Sequence, residues 1–386
     1  MTMRFARASL LAVGLLCLCG SAAAQTAAQK TYVEVDGHKL NVRVSGTAKP
    51  GVPTVVFESG LGSPIDAWYP VPSEVAATTR TVAYERAGIG ASEPGPEPRS
   101  IKQIVAELHA LLAKLDVPPP YVLVGHSLGG AIIHSFAATY PKEIAGLVYV
   151  DPTDFTQTEA DILALWEKAG AKDGRDRLRK MQEQIMASAP AGVKAEFREL
   201  DRMERGGLAE LRAAGEPPDV PVVFLIAGKK QSLPPTVAFP GDYDRYFQVN
   251  LEQRLDHFSK LAQRASKGTL VHTSRSDHFF LTTEPDLVVW AIQRALSVAG
   301  SHPELERFVG DYVLGPKISM MITRDGDRIF GQLTGQPTFP LHAESATTFS
   351  LKIVDAQLEF EVDGAGNVTG LVLAQNGRRL PGSKKR

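Results

Sequence analysis

Ser127 stands in Gly125-His126-Ser127-Leu128-Gly129-Gly130, after the apolar run Tyr121-Val122-Leu123-Val124 and ahead of Ala131-Ile132-Ile133. That order predicts a buried strand, a sharp turn and a helix start, and a serine on such a turn is a nucleophile elbow. The chemistry explains the spacing. A hydroxyl raised on a tight turn needs neighbours without bulk two residues away on either side. The helix that follows aims free amides at any negative charge forming nearby. A serine nucleophile also needs a base, usually histidine, and the base needs a carboxylate to orient it. His278, in Ser276-Asp277-His278-Phe279, follows the run Leu270-Val271-His272 and is the expected base. His272 lies inside that run and reads as structural. His257 lies in a helical stretch, His126 is expected to pack beneath the elbow, and His109 and His134 read as surface or packing residues.

The third partner is less defined. Chain order on such a sheet is nucleophile, acid, histidine. The commoner place for the acid is the loop after residues 220–226, but Ala227-Gly228-Lys229-Lys230-Gln231-Ser232 holds no carboxylate. Asp151 ends the run Leu147-Val148-Tyr149-Val150, one strand over from Ser127, and is preferred. Asp242 and Asp244 are the alternatives, and a turn cap, with Asp154 as companion, is the structural reading of Asp151. Asp277 adjoins His278 too closely to reach the ring's far nitrogen in line. The oxyanion of a tetrahedral intermediate needs two amides. Leu128 supplies one, and Leu61 in Ser59-Gly60-Leu61-Gly62 the other, with Gly60 and Gly62 letting the backbone approach a substrate. No histidine pair has metal-ligand spacing with a carboxylate partner, so neither metal nor cofactor is expected.

These residues need a scaffold, and the surrounding chain describes one. Residues 54–57, 81–84, 121–124, 147–150, 220–226 and 270–272 are apolar runs. Helical stretches at 101–115, 132–140, 246–265 and 286–298 separate them. Unalternated runs between helices predict an α/β fold with a mostly parallel sheet covered on both faces. Ligands of such sheets bind at the carboxyl ends of the strands, where Gly60, Ser127, Asp151 and the loop of His278 all fall. Residues 32–36 and 40–44 alternate around Asp36-Gly37 and read as a hairpin. Residues 152–218, rich in Glu, Lys, Arg and Ala, read as a helical cap over the strand ends. Past Ser301 the pattern becomes short alternating segments between turn signals. Residues 318–322, 329–333, 348–354, 358–362 and 368–374 are expected as antiparallel strands of a second, small β domain. The expected boundaries are 30–300 for the first domain and 303–381 for the second.

Composition narrows the class. The 386 residues carry a net charge of -1 and are 44% hydrophobic, ample material for a core. A charge near zero gives no footing for nucleic acid or an anionic membrane surface. Arg4 and Arg7, an apolar run from Leu10 to Cys19, and Ser21-Ala22-Ala23-Ala24 make a secretory signal peptide over residues 1–24. Both cysteines, Cys17 and Cys19, fall within it, so the mature chain would form no disulfide. The apolar run is too short for a comfortable membrane span. Export to the periplasm or the exterior of a bacterium is the expectation.

The residues quoted so far also carry a resemblance. Phe57-Glu58-Ser59-Gly60-Leu61-Gly62, Tyr84-Glu85-Arg86-Ala87-Gly88-Ile89-Gly90-Ala91-Ser92 and Gly125-His126-Ser127-Leu128-Gly129-Gly130 resemble the α/β-hydrolase superfamily. They match a bacterial subgroup with E-x-G-x-G in the oxyanion turn and Y-D-R-A-G-x-G-x-S after the next strand. Glu85 stands where that pattern has aspartate, a change read as structural. The tail from Phe308-Val309-Gly310-Asp311-Tyr312 to Asn376-Gly377 is similar to the small β domain that follows serine β-lactamase-like and D-aminopeptidase-like enzymes. The resemblance implies a serine hydrolase. A secreted carboxylesterase working through an acyl-enzyme on a small-molecule acyl substrate is the expected function. Amide, lactone or peptide hydrolysis by the same mechanism is the alternative, and a non-catalytic binding protein on the same scaffold is the rival class.

Overall fold

The computed structural model describes residues 31–49, 51–233, 238–299, 303–325, 328–345, 347–351, 354, 356–364, 366–375 and 377–385. The segment read as a signal peptide lies outside them. The chain divides into two compact units, one ending at Leu296 and one beginning at Ser297.

Among the described residues, the first unit is built on eight strands: β1 (Thr31–Val35), β2 (His38–Ser45), β3 (Thr54–Glu58), β4 (Thr81–Tyr84), β5 (Tyr121–His126), β6 (Ile144–Val150), β7 (Val222–Ala227) and β8 (Gly268–Thr273). They form one sheet in the order β1-β2-β4-β3-β5-β6-β7-β8. β1 and β2 form the expected hairpin, with Val35 opposite His38. The two loop residues, Asp36 and Gly37, have φ of 48° and 84°, the twist that a two-residue hairpin turn requires. β2 runs antiparallel to β4. From β4 to β8 every pairing is parallel. Every residue of β3, β4, β5 and β7 is buried, which is why these strands are apolar throughout rather than alternating. β8 departs from that reading. It is the last strand of the sheet, paired on one side only, its other residues are half-buried, and His272 is exposed.

Among the described residues, ten α-helices accompany the sheet: α1 (Val71–Val75), α2 (Ile101–Lys114), α3 (Leu128–Thr139), α4 (Glu159–Lys168), α5 (Gly174–Met186), α6 (Ala191–Arg205), α7 (Ala209–Ala213), α8 (Tyr243–Arg264), α9 (Phe280–Thr283) and α10 (Pro285–Ala299). Ser100 caps α2 by accepting from the Gln103 amide at 3.2 Å. The buried positions 101, 104, 105, 108, 111 and 112 form one stripe at helical spacing. α4 to α7 all fall between β6 and β7. α8 starts earlier than the apolar periodicity suggests, because the Asp242 side chain accepts from the Arg245 amide at 3.0 Å and caps it. The sheet order also locates a crevice. β3 is flanked by β4 on one side and β5 on the other, so the connections leaving β3 and β5 run in opposite directions. The carboxyl ends of these two strands are therefore the switch point where ligands bind.

The second unit is antiparallel, as the tail's turn signals predict, but among the described residues it has eight strands rather than five. After the short α11 (Pro303–Glu306) come β9 (Gly310–Gly315), β10 (Ile318–Asp325), β11 (Arg328–Leu333), β12 (Thr338–Ala343), β13 (Thr348–Leu351), β14 (Ala356–Val362), β15 (Val368–Gln375) and β16 (Arg378–Lys384). Each pairs with the next, and β16 returns to β9 through Ser383 opposite Val313 and Lys384 opposite Tyr312, closing a barrel. Phe308, Tyr312, Ile322, Ile329, Phe349, Leu358, Phe360, Leu371 and Leu373 fill its core. β9, β12 and β16 escaped the sequence reading because glycine, Pro340, and Arg378-Arg379 with Pro381-Gly382 break their alternation. Among the described residues, no helix is long and apolar enough to cross a membrane.

Candidate active site

Ser127 follows β5 directly and precedes the first residue of α3. Its backbone sits at φ 54°, ψ -119°, a region that costs about 1–3 kcal/mol for a residue with a Cβ. Val122, Leu123 and Val124 just before it are fully buried, and each such side chain contributes about 1.5–3 kcal/mol, enough to outweigh that strain. Neighbouring backbone straps the turn as well. The Ser127 amide donates to the Val150 carbonyl at 3.1 Å, and its carbonyl accepts from Gly130 at 2.9 Å and Thr153 at 3.0 Å. The flanking glycines are required by contact. A Cβ on Gly125 would lie 2.4 Å from the Gly129 carbonyl oxygen, and one on Gly129 would lie 2.1 Å from that of Glu58.

The three residues proposed from sequence come together. His278 Nε2 is 3.0 Å from Ser127 Oγ, and His278 Nδ1 is 2.6 Å from Asp151 Oδ2. A carboxylate only accepts, so the proton sits on Nδ1 and the Nε2 lone pair faces the serine hydroxyl. Asp151 is 4% exposed and also strained, at φ 41°. Its amide donates to Leu225 at 2.8 Å, fixing it between β6 and β7. Its second oxygen accepts from the Ala227 amide at 3.0 Å and from Arg254 Nη2 at 2.7 Å. Burial pulls this carboxyl upward, but the Arg254 guanidinium and the His278 hydrogen bond outweigh it. The net effect holds Asp151 well below the usual carboxylate range. The alternatives are engaged elsewhere: Asp242 caps α8, Asp244 pairs with Lys230, and Asp277 accepts from the Phe279 amide at 3.0 Å.

The turn after β3 lies beside the serine, since a Cβ on Gly60 would be 3.3 Å from Ser127 Cβ. Among the described residues, the amides of Leu61 and Leu128 donate to no other group of the chain. His126 packs between this turn and the base. Its Nε2 donates to the His278 carbonyl at 2.9 Å, and its Nδ1 would be 3.1 Å from a Cβ on Gly60. Burial, followed by electrostatic repulsion with the neighbouring His278 ring, lowers His126 to about 4, so its ring is neutral and serves as a brace. Trp68 Nε1 holds the Ser59 hydroxyl at 2.9 Å.

The sequence reading gave no role to Arg86, Glu58, Glu196 or Arg254. Arg86 is 2% exposed, and all five of its N–H groups are used. Nε and Nη2 donate to the two Glu196 oxygens at 2.6 and 2.8 Å. Nη1 donates to Glu58 at 2.6 Å and to the Ser59 carbonyl at 2.7 Å, and Nη2 to the Gly60 carbonyl at 2.8 Å. Tyr84 adds a hydrogen bond to Glu58 at 2.5 Å. Burial works against the guanidinium's charge, yet Glu196 and Glu58 raise Arg86 above its ordinary value. Removing one partner of such a buried cluster costs about 3–5 kcal/mol. Glu58 and Arg86 were visible inside quoted motifs. Glu196 and Arg254 carry no local signal, for they meet their partners across more than a hundred residues. Glu85 does serve structure, accepting from Asn41 Nδ2 at 2.9 Å and from the amides of Ala91 at 2.6 Å and Ile65 at 3.2 Å.

A second histidine–aspartate pair stands nearby. His257 on α8 lies 2.7 Å from Asp154, whose other oxygen accepts from the Thr156 amide at 3.1 Å and hydroxyl at 2.7 Å. The Asp154 hydrogen bond is the main cause of a raised His257. A raised imidazole contributes stability that is fully present below its unfolded value of about 6.5 and is lost as pH rises through the folded value. His257→Gln should therefore destabilise the protein more at about pH 5.5 than at about pH 9 in urea titrations. An equal loss at both would remove this pair from the account. His134 stacks on Phe155 at 4.1 Å and His109 on Tyr140 at 4.0 Å, both as packing residues. Among the described residues, no three His, Cys, Asp or Glu side chains gather as metal ligands.

Comparison with known proteins agrees with this architecture. The model of the alpha/beta hydrolase family matches residues 55–292, and that of a domain of unknown function (DUF3471) matches residues 297–384. The Bacillus subtilis protein YqjL is 36% identical over 124 residues, 32% of this chain and 48% of its own. The chain spans about half the length, or less, of the first curated relatives it matches. Among solved structures, a thermophilic esterase from Thermogutta terrifontis is 18% identical, with a TM-score of 0.47 over 71% of this chain and 100% of its own. Est816, described as an N-acyl homoserine lactone degrading enzyme, is 17% identical, with a TM-score of 0.46 over 68% of this chain and 99% of its own.

Proposed function

Because the chain belongs to the alpha/beta hydrolase family, we propose that it is a serine hydrolase that cleaves carboxylic esters through an acyl-enzyme. The observation that carries this reading is the relay from Ser127 Oγ through the two His278 nitrogens to Asp151, at 3.0 and 2.6 Å. Ser127 Oγ attacks the ester carbonyl carbon while its proton passes to His278 Nε2. Asp151 holds the resulting imidazolium. The carbonyl oxygen, now an oxyanion, accepts from the free amides of Leu61 and Leu128. The carbon–oxygen bond to the leaving group then breaks, and Nε2 returns the proton to the departing alkoxide. A water, deprotonated by the same nitrogen, attacks the acyl-serine; the bond from Ser127 Oγ to the acyl carbon breaks, Nε2 returns the proton to Oγ, and the acid leaves.

Export belongs to the same reading and is supported by the charged, apolar and small-residue order of residues 1–24. A fluorophosphonate probe tests both parts. Protein recovered from the periplasmic fraction or the medium should begin at Gln25 and carry the phosphonyl group on Ser127, read by peptide mass spectrometry. A folded protein that does not react, beside a serine esterase that does, would sink the enzyme reading. A labelled protein confined to the cytoplasm with residues 1–24 intact would sink export alone. A panel of p-nitrophenyl esters, an anilide and a lactone assigns the bond, with esters expected to turn over fastest.

A further inference from the structure

The turn that carries the Leu61 amide is held from the cap. Glu196 lies on α6, within the insert between β6 and β7, and is 1% exposed. Its Oε2 accepts from the Gly62 amide at 3.0 Å, one residue beyond Leu61. Both its oxygens also engage Arg86, whose remaining donors hold the carbonyls of Ser59 and Gly60 and the carboxylate of Glu58. The amide after Leu61 and the two carbonyls before it are thereby fixed, on either side of the free Leu61 N–H. Helix and turn are also in close contact. Gly62 has φ +65°, and a Cβ on it would lie 2.9 Å from Val193 Cγ1 of α6. One residue earlier, a Cβ on Gly192 would lie 2.0 Å from the Gly88 carbonyl oxygen, so α6 seats its first residues against the loop that follows Arg86.

Without Glu196, the Gly62 N–H and two guanidinium donors lose their acceptors, and the far side of the turn keeps the hydrogen bonds from the Ser63 amide to the Gly60 carbonyl at 3.2 Å and from the Ile65 amide to Glu85 at 3.2 Å. We infer that Glu196 is a positioning residue for the oxyanion site, through which the seating of α6 sets whether the Leu61 amide is aimed at the reacting carbonyl. The inference rests on the acyl transfer at Ser127 proposed above. On it, the cap is an integral part of the charge-stabilising apparatus as well as a cover for the strand ends, and a substrate that fails to let α6 seat is processed slowly even when bound.

The test is steady-state kinetics with a short p-nitrophenyl ester, together with inhibition by an alkylboronic acid, whose serine adduct is tetrahedral and places an oxygen at the oxyanion position. In Glu196→Ala, kcat should fall about 10²–10³-fold, the cost of a lost oxyanion donor. KM should stay within about threefold, and boronic acid affinity should fall with kcat. Glu196→Gln keeps a carbonyl acceptor for Gly62 but gives up the second oxygen facing Arg86, so both quantities should lie between wild type and the alanine variant. A folded Glu196→Ala protein with kcat and boronic acid affinity within about threefold of wild type, whatever its melting temperature, would reduce Glu196 to a structural contact. If the alanine variant does not fold, wild-type values in Glu196→Gln overturn the inference equally. A wild type that hydrolyses the ester but ignores the boronic acid, with turnover surviving Ser127→Ala, sinks the acyl-transfer reading itself and this inference with it.

Discussion

Replacing Ser127 by alanine should lower turnover about 10⁶-fold, and replacing His278 by alanine should lower it about as much. The size follows from the geometry. One atom, Ser127 Oγ, is placed to attack, and one lone pair, on Nε2 at 3.0 Å, is placed to take its proton. Neither is useful without the other, because a neutral hydroxyl is a weak nucleophile and an imidazole with no hydroxyl to activate has nothing to do. The double variant should therefore be scarcely worse than either single one. What remains in all three should be about 10³–10⁴ over the uncatalysed rate, from the amides of Leu61 and Leu128 and from binding. Steady-state assays after fluorophosphonate treatment, which removes contaminating esterases, decide the matter. Strictly additive losses would mean that serine and histidine act in separate steps, contrary to the relay.

Asp151→Asn should lower kcat about 10⁴-fold while the fold stays intact. Asparagine keeps the shape of the side chain but places an N–H donor where Oδ2 now accepts from His278 Nδ1. The imidazole then does best with its proton on Nε2, the wrong tautomer for accepting one from Ser127. The imidazolium formed during attack also loses its counter-charge, and Arg254, at 2.7 Å from the carboxylate, is left facing a neutral group. The acid assignment is falsified if Asp242→Asn or Asp244→Asn produces this loss in place of Asp151→Asn. Both should instead stay near wild type. Asn caps a helix about as well as Asp does at position 242, and the Asp244–Lys230 pair is a surface contact of about 0–1 kcal/mol.

Much of this was legible in the sequence, and the part that was not has a common cause. The elbow could be read because its demands are local: an apolar run, then glycines at fixed offsets that backbone contact requires at 125 and 129. Asp151 could be placed because a strand end is visible as the last residue of an apolar run, and the sheet order then brings it beside Ser127. Arg254 and Glu196 could not, since each sits within an ordinary polar helix and meets its partner only after the sheet has closed around it. The last strand of the sheet, β8, shows the opposite failure. Its apolar run suggested a covered strand, but hydropathy does not say which parallel strand comes last. The tail was readable as antiparallel but undercounted, because the glycines, prolines and arginines of β9, β12 and β16 interrupt the alternation by which a strand is recognised.

That ring also limits how the tail can change over evolutionary time. Each of its strands runs opposite to both neighbours, and β16 meets β9 in the same antiparallel sense. Such a circuit closes only with an even number of members, since an odd one would force two neighbours to run the same way and demand a long crossover between them. Growth or loss must therefore come as whole hairpins, two strands and a turn at a time, while single-residue insertions are absorbed at the turns between strands.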